Sequence, residues 1–361
     1  MNDLFTDDID PEARRGRGAV RNLTGRFEVA SYHRMADGWE EQAQTPVTTR
    51  VFDDHPRRIL TRNTSPDVPF DRSINPYKGC EHGCIYCFAR PTHTYLGMSA
   101  GLDFESRIFA KPRAAQLLED ELRKPGYKPA TIAIGTNTDP YQPIEKERRI
   151  MREVLEVLDA YNHPVAIVTK GALVTRDTDI LGRMARRGLA KVALSLTTLD
   201  NRLSRRMEPR ASAPQVRLRA IGALARAGVP TGFMMAPIIP ALNDHEIEKV
   251  VESGARAGAT WCSSVALRLP HEVSPLFRDW LQEHYPDRAH RVMAQVREMH
   301  GGKDYDAEWG KRMTGEGVYA NLIARRFEAA VKRHGLRRRT APLDCSRFAP
   351  PPRAGDQFTL F

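Results

Sequence analysis

YKGCEHGCIYCFARP, residues 77–91, decides how this chain is read. It carries Cys80, Cys84 and Cys87 within eight residues, while the rest of the 361-residue chain holds only Cys262 and Cys345. Five cysteines with three in one short loop do not make a disulfide framework. A reducing cytoplasm is the simplest home for them. The opening stretch MNDLFTDDIDPEARRG is acidic and then basic, without the apolar centre of a secretory signal. No run of eighteen apolar residues reads as a membrane span.

Outward from the cysteines, short β-branched runs alternate with helical periodicity. The runs are TIAIG (131–135), PVAIVTK (164–170), KVALSLT (191–197), TGFMMAPII (231–239) and SSVALRL (263–269). Between them lie AAQLLEDELRK (114–124), RRIMREVLEVLDAY (148–161), TDILGRMARRG (178–188), PQVRLRAIGALARAG (214–228) and DHEIEKVVESGARAG (244–258), several closed by a glycine stop. With SINPY (73–77) as the first strand, six βα units emerge, and such alternation implies a parallel sheet with helices outside. The expected fold is α/β, a partial (β/α)6 TIM-type barrel over residues 71–270. An irregular N-terminal extension (1–70) precedes it. A helical C-terminal extension (271–335) and a basic, Pro-rich, extended or disordered tail (336–361) follow.

The cysteines fit C-x3-C-x2-C directly after the first strand, at the barrel rim where active sites are built. Three thiolates on one loop can each hold one iron of a cubane, leaving the fourth iron open, as a catalytic centre requires. A zinc site completed by His82 matches no common zinc spacing, and unrelated buried cysteines rarely cluster so tightly. With Tyr86 in the aromatic slot, C-x3-C-x-Φ-C resembles the radical S-adenosylmethionine superfamily, over roughly residues 73–270. The resemblance implies a 4Fe-4S cluster on Cys80, Cys84 and Cys87, with S-adenosylmethionine chelated to the open iron. It implies reductive cleavage of that cofactor to a 5′-deoxyadenosyl radical that abstracts hydrogen from a substrate. It also implies Tyr86 packed near the adenine and an external electron donor of flavodoxin or ferredoxin type.

GTNTDPYQPIE (135–145), VTKG (168–171) and SLTTLDNRLSRRMEPR (195–210) are similar to the spore photoproduct lyase-like branch, whose members carry the label DNA repair photolyase. By that resemblance Asn137 and Thr138 match a cofactor-contacting pair. At the next two strand ends, Lys170 suits the cofactor's carboxylate and Ser195 its ribose or carboxylate. Loop capping and turn chemistry is the plain alternative for each, and Asp139–Pro140 reads as a turn. Glu145 and Glu208 read as pocket groups or ion-pair partners. Two departures matter: Thr136 stands where the lyase has its hydrogen-donating cysteine, and Phe88 replaces the second tyrosine of a relay beside Cys87. Cys262 reads as a buried structural thiol at the far end of the barrel. Cys345 could approach the rim only if the tail folds back.

The net charge of +10 suits a polyanion, nucleic acid being the usual one, although scattered solubilising charge gives the same sum. QFTLF (357–361) resembles the bacterial sliding-clamp-binding peptide through Gln357, Leu360 and Phe361, with Phe358 where Leu is more usual. HGLRRRTAP (334–342) could add phosphate contacts upstream. Three functions are therefore carried forward: a radical enzyme acting on nucleic acid, a radical enzyme acting on a protein, peptide or small molecule, and a non-catalytic iron–sulfur or zinc module. The sequence names no general acid or base.

Overall fold

A computed structural model describes residues 5–6, 9–28, 34–35 and 45–352. The clamp-peptide residues Gln357, Leu360 and Phe361 lie outside the described residues. The centre is an open seven-stranded sheet. Six strands are parallel and in sequence order: β1 (Arg72–Ile74), β2 (Ile132–Ile134), β3 (Val165–Thr169), β4 (Ala190–Ser195), β5 (Thr231–Ile238) and β6 (Trp261–Ala266). Leu60–Arg62 runs antiparallel along the outer edge of β1. The sheet does not close on itself, so the partial barrel expected from six βα units is what forms.

The crossover helices are α1 (Ala114–Leu122), α2 (Ile150–Ala160), α3 (Thr178–Arg186), α4 (Pro214–Arg226) and α5 (Ile247–Arg256). Each carries one apolar stripe. Leu118, Leu155, Leu158, Leu181, Met184, Leu224 and Val251 share a core with Ile134, Ile167, Val192, Leu194 and Phe233 of the sheet. Burying each such side chain is worth about 1.5–3 kcal/mol, which is why the stripe rather than helix propensity fixes the layer. Gly188, Gly228 and Gly258 follow α3, α4 and α5 at φ 73°, 77° and 104°, the left-handed turn that ends a helix before the next strand.

The expected strand over 73–77 divides in two. The first strand stops at Ile74, and Tyr77–Lys78 pairs antiparallel with Arg107–Ala110 in a separate three-stranded sheet completed by Arg50–Asp53. Pro76 has no N–H to continue a ladder, and its carbonyl instead accepts from Lys111 N at 3.0 Å. The chain thereby turns across the rim and delivers the cysteine loop over the C-terminal ends of the strands.

Helices α6 (Val273–His284) and α7 (Pro286–Met299) form a second core behind that loop. Leu276, Phe277, Trp280, Val292 and Val296 share it with Cys84, Ile85, Tyr86, Leu203 and Met207, and with Ala19 and Val20 of the N-terminal extension. Helix α8 (Gly317–Arg333) adds Ile323, Phe327 and Val331 to the main core, and its Arg326 pairs with Glu248 of α5 at 2.7 Å. The tail from Leu336 to Pro352 is extended but not loose. Arg337 bridges to Trp261, Asp344 N donates to Gly188 O at 3.0 Å, and Ala349 N donates to Tyr161 O at 3.1 Å. Trp261 opens β6, and Gly188 and Tyr161 come just before β4 and β3, so the tail does fold back, but across the N-terminal end of the sheet. Cys345 is therefore at the end opposite the cysteine loop. Cys262 is fully buried in β6, its thiol pushed up to about 12 by burial.

Candidate active site

The cysteine loop is held rigidly by groups that do not reach its thiols. Cys80 N donates to Phe104 O at 2.9 Å, Ile85 N to Met207 O at 3.0 Å and Cys87 N to Cys84 O at 3.2 Å. Arg90 is fully buried beneath the loop. Its guanidinium reaches the carbonyls of Cys84, Ala100, Gly101 and Gly83 at 2.9–3.1 Å and pairs with Glu105 at 2.5 Å. Glu105 in turn accepts from the amides of Gly18 and Ala19, both at 2.8 Å. The N-terminal extension thus clamps the loop through a buried carboxylate. Gly18 lies so close that a Cβ there would meet Gly83 O at 1.9 Å. On the other flank Glu81 N donates to Gln142 Oε1 at 2.8 Å, and Ile144 N donates to the Glu81 carboxylate at 2.9 Å.

All three thiols are free; Cys80 and Cys84 are buried and Cys87 is partly so. Burial, then Asp139 and the other two thiols, raises Cys80 far above an ordinary thiol. Burial also carries Cys84 up to about 12, with Glu208 and Cys87 adding to it and Lys170 opposing. Cys80 and Cys84 do not ionise unaided in so dry a setting, and the cationic irons of a cluster would supply the charge that thiolate ligands need there. The donor set therefore fits a cluster. Among the described residues no three His, Cys, Asp or Glu side chains close on one metal ion. A cubane does not ask for that, because each thiolate takes a different iron. His82, the sequence candidate for a zinc ligand, faces Asp139 at 3.3 Å instead.

Around the loop stands a buried charged network. The Tyr86 hydroxyl donates to the Glu208 carboxylate, which also accepts from Thr197 Oγ1 at 2.7 Å and from the Arg217 guanidinium. Arg217 further donates to Ser195 O at 2.9 Å and Ser212 O at 2.6 Å. The Lys170 ammonium lies 5.7 Å from the centroid of the Tyr86 ring. Burial would raise Glu208, but Arg217, Lys170 and the Tyr86 hydroxyl outweigh it and hold the carboxyl down near 2. Burial would lower Lys170, yet Cys84 and Glu208 outweigh it and raise the ammonium's pKa. Asp139 ties the second strand's loop to the third. It accepts from Tyr141 N at 2.9 Å, Thr169 Oγ1 at 2.6 Å and Lys170 N at 2.7 Å, which sets the direction of Lys170.

The sequence candidates separate accordingly. Tyr86 and Lys170 come together at the cysteine loop, and Ser195 joins them through the Arg217 contact to its carbonyl. Asn137 and Thr136 line an adjacent cleft, where Asn137 N donates to Asn75 Oδ1 at 3.2 Å. Thr138 is buried and donates its hydroxyl to Tyr77 O at 2.8 Å, the loop-capping alternative. Glu145 resolves as an ion-pair partner, accepting from Tyr77 OH at 2.6 Å and Arg176 at 2.7 Å. Glu208 is the pocket group. Arg217 and Thr197 went unnoticed in the sequence, since nothing in RLRAIGALARAG sets its first arginine apart from a solvated helix face.

The cleft has a volume of about 750 Å³ and opens beside Phe88, the residue after Cys87. Among the described residues lining it are five cations, Arg62, Lys78, Lys111, Arg268 and Arg312, and no carboxylate. Three of the five are paired from outside: Arg62 with Asp71 at 3.0 Å, Lys78 with Asp54 at 2.9 Å and Arg312 with Asp67 at 2.5 Å. Among the described residues the Lys111 ammonium bonds the Asn75 carbonyl, at 2.6 Å, and burial pulls it down to about 8. Arg268 lies over the Phe88 ring at 4.2 Å with no ion pair among the described residues, and burial lowers it too.

Comparison with known proteins agrees with this geometry. Residues 74–254 match the model of the radical SAM superfamily. An uncharacterized protein of Mycobacterium tuberculosis is 36% identical over 72% of this chain and 75% of its own length, and one of Mycobacterium bovis matches equally. An uncharacterized protein of Methanocaldococcus jannaschii is 26% identical over 59% of this chain and 76% of its own. Among solved structures, a spore photoproduct lyase complexed with dinucleoside spore photoproduct superposes with a TM-score of 0.57 at 16% identity, over 80% of this chain and 81% of the lyase, a likeness of fold. The chain belongs to the radical SAM superfamily of enzymes, whose cofactors are a 4Fe-4S cluster and S-adenosylmethionine.

Proposed function

We propose that this enzyme acts on nucleic acid, abstracting hydrogen from a damaged or modified base. The observation that carries the reading is the cleft: five cations, no carboxylate among its described walls, and aromatic rings beside the cysteine loop. Cys80, Cys84 and Cys87 would hold the cluster, and Tyr86, Asn137, Lys170 and Ser195, with the backbone at Thr138, would contact S-adenosylmethionine. When bound and reduced by an external donor of flavodoxin or ferredoxin class, that pair supplies a 5′-deoxyadenosyl radical.

The chain's own part is positional. Glu208 and Arg217 fix the Tyr86 ring, and Asp139 aims Lys170. Lys111 and Arg268 are desolvated cations without a direct ion pair among the described residues, so a phosphate would restore what burial removes. Phe88, stacked with Arg268, offers a face to a base. A solved spore photoproduct lyase is complexed with dinucleoside spore photoproduct, a ligand of bases and sugars; here the Phe88 face would suit such bases and the cations the phosphates of a longer strand. The lyase's final step does not transfer with it, because Thr136 replaces its donor and no cysteine is among the described cleft-lining residues. A basic cleft would serve an acidic peptide less well, since the Phe88–Arg268 stack favours flat rings.

The test is anaerobic reconstitution with iron and sulfide, reduction, and measurement of 5′-deoxyadenosine with and without ultraviolet-irradiated oligonucleotide. Wild type is expected to form product, more with the oligonucleotide, and Cys84→Ala to form none. Product formation indifferent to every nucleic acid, together with no binding in a gel shift, would overturn the nucleic-acid reading.

A further inference from the structure

At the lip of the cleft two rings stand in the open. Tyr95 lines the cleft and is 70% exposed; Phe27, from the N-terminal extension, is 55% exposed. They stack on each other with centroids 5.0 Å apart and an interplanar angle of 24°. The Arg26 guanidinium lies 5.4 Å from the Phe27 centroid and is held there by Glu272 at 2.5 Å. Large aromatic rings stacked in water gain only part of the burial that usually justifies them, so this pair has unused face area. Its carrier is firm. Tyr95 sits on the turn Arg90–Leu96, anchored by buried Arg90 and by Thr94 Oγ1 donating to Pro91 O at 2.8 Å. The segment before Phe27 is tied to the chain just after that turn, with Ser99 Oγ donating to Leu23 O at 2.5 Å.

We infer that Phe27 and Tyr95 form a stacking step for an unpaired nucleobase next to the nucleotide held in the cleft, so that the enzyme engages single-stranded or locally unstacked nucleic acid rather than intact duplex. The inference rests on the proposed nucleic-acid reading and deepens it. Bases paired inside a duplex show no open face to a protein ring, whereas an unstacked base does, and sequence-tolerant single-strand sites combine such rings with a cationic groove. Here the groove is the cleft with Lys111 and Arg268, and the step lies on its rim. Phe88 and Tyr95 are both cleft-lining residues, which gives the strand aromatic contact inside the cleft and at its edge. The step reads faces and not hydrogen-bonding edges, so it takes DNA and RNA bases alike.

Fluorescence anisotropy of the reconstituted enzyme tests this with three labelled probes: an oligothymidylate, an oligouridylate and a mixed-sequence duplex of the same length. Wild type is expected to bind a single strand more tightly than the duplex. The two single strands, which differ in sugar and in one base methyl, are expected to bind alike, because the step reads faces. Tyr95→Leu and Phe27→Leu keep apolar bulk but remove the ring, and each is expected to weaken single-strand binding roughly tenfold, with the dependence on salt unchanged. Tyr95→Phe, which keeps the ring, is expected to bind as wild type and so separates lost stacking from lost folding. Leucine variants that bind single strands as wild type does, or a wild type that prefers duplex, would overturn the stacking step while leaving the nucleic-acid reading intact. A wild type that binds none of the three probes would overturn that reading, and the step with it.

Discussion

At the N-terminal end of the sheet Phe348 of the tail lies among Tyr127, Tyr161 and His163, with ring centroids 5.3, 6.5 and 5.5 Å away. At the C-terminal end Glu208, Arg217, Lys170 and Tyr86 crowd against the cysteine loop. Both ends are well packed, but they treat charge differently. His163 is pushed down to about 4 by burial and stays neutral, its Nε2 2.8 Å from the Tyr127 hydroxyl. Glu208 is just as buried, yet it is held ionised. Burying charges costs several kcal/mol each and is offset only by close partners. At the N-terminal end the buried Arg72, bonded to Tyr127 OH, is offset by Asp71, whose carboxylate is half exposed to water; at the rim Glu208 and Arg217 are both withdrawn from water. The rim carries its charges for something other than packing, which is the mark of a functional site.

Glu208→Gln breaks this contrast most severely. It leaves the fully buried Arg217 without its counter-charge, and breaking a buried pair from one side costs about 3–5 kcal/mol. A large drop in melting temperature should accompany loss of 5′-deoxyadenosine formation, because Tyr86 loses its anchor. The pH dependence has a definite sign. A carboxyl held near 2 when folded, against an ordinary value of 4.5, contributes stability above about pH 4.5 that is lost as pH falls toward 2. Wild type should therefore show an acid-destabilised limb in this window that is shallower in Glu208→Gln. Equal limbs would mean that the carboxylate is not held as described.

Phe348→Ala is the matching change at the opposite end. It removes a half-buried ring from an aromatic cluster, with an expected cost of about 1–2 kcal/mol by thermal melting. Cofactor cleavage by the folded fraction should be unchanged. Impaired cleavage in that variant would mean that the two ends are coupled, and the division drawn here would fail.

The sequence made the rim's identity legible and left its support hidden, for a physical reason. Periodicity reports which face of an element is buried, so six strands and five crossover helices could be read from it, to within a few residues. Cysteine spacing reports a ligand set because one short loop holds all of it. Contacts between distant segments leave no such trace. Gly18 and Ala19 reach Glu105, Arg217 reaches Glu208 across a turn and a helix, and Phe348 closes a cluster begun at Tyr127. A polar residue at a strand end shows that it has hydrogen-bonding capacity, but not where that capacity goes. Thr138 and Lys170 looked equivalent on that ground; one hydroxyl serves a neighbouring carbonyl, while the other residue's ammonium stands over Tyr86. The tail is basic and rich in proline, which suits a loose segment equally well. Its order comes from backbone contacts at Arg337, Asp344 and Ala349, from the Phe348 ring and from side-chain bonds such as Lys191 Nζ to Thr340 Oγ1, none of them periodic.

The smallest effect sharpens the comparison within the rim itself. Lys111 sits in the cleft with its ammonium on the Asn75 carbonyl; burial pulls it down to about 8, Asp54 pulls it up and Lys78 down. Its two linked properties should run in opposite directions. In the free enzyme the charged form is the costly one, so the group's drain on stability is full below about pH 8 and relieved as pH rises from there toward its unfolded value of 10.5. A bound phosphate needs the charged form, so affinity for a single-stranded oligonucleotide should be full below about pH 8 and fall severalfold as pH is raised to about 9.5. Lys111→Arg, charged throughout that range, should flatten the affinity profile without lowering it near pH 7. Lys111→Met should flatten it at a uniformly weaker level. If wild type and Lys111→Arg decline in parallel, the loss belongs to another group, and Arg268 with Phe88 would be left to hold the phosphate.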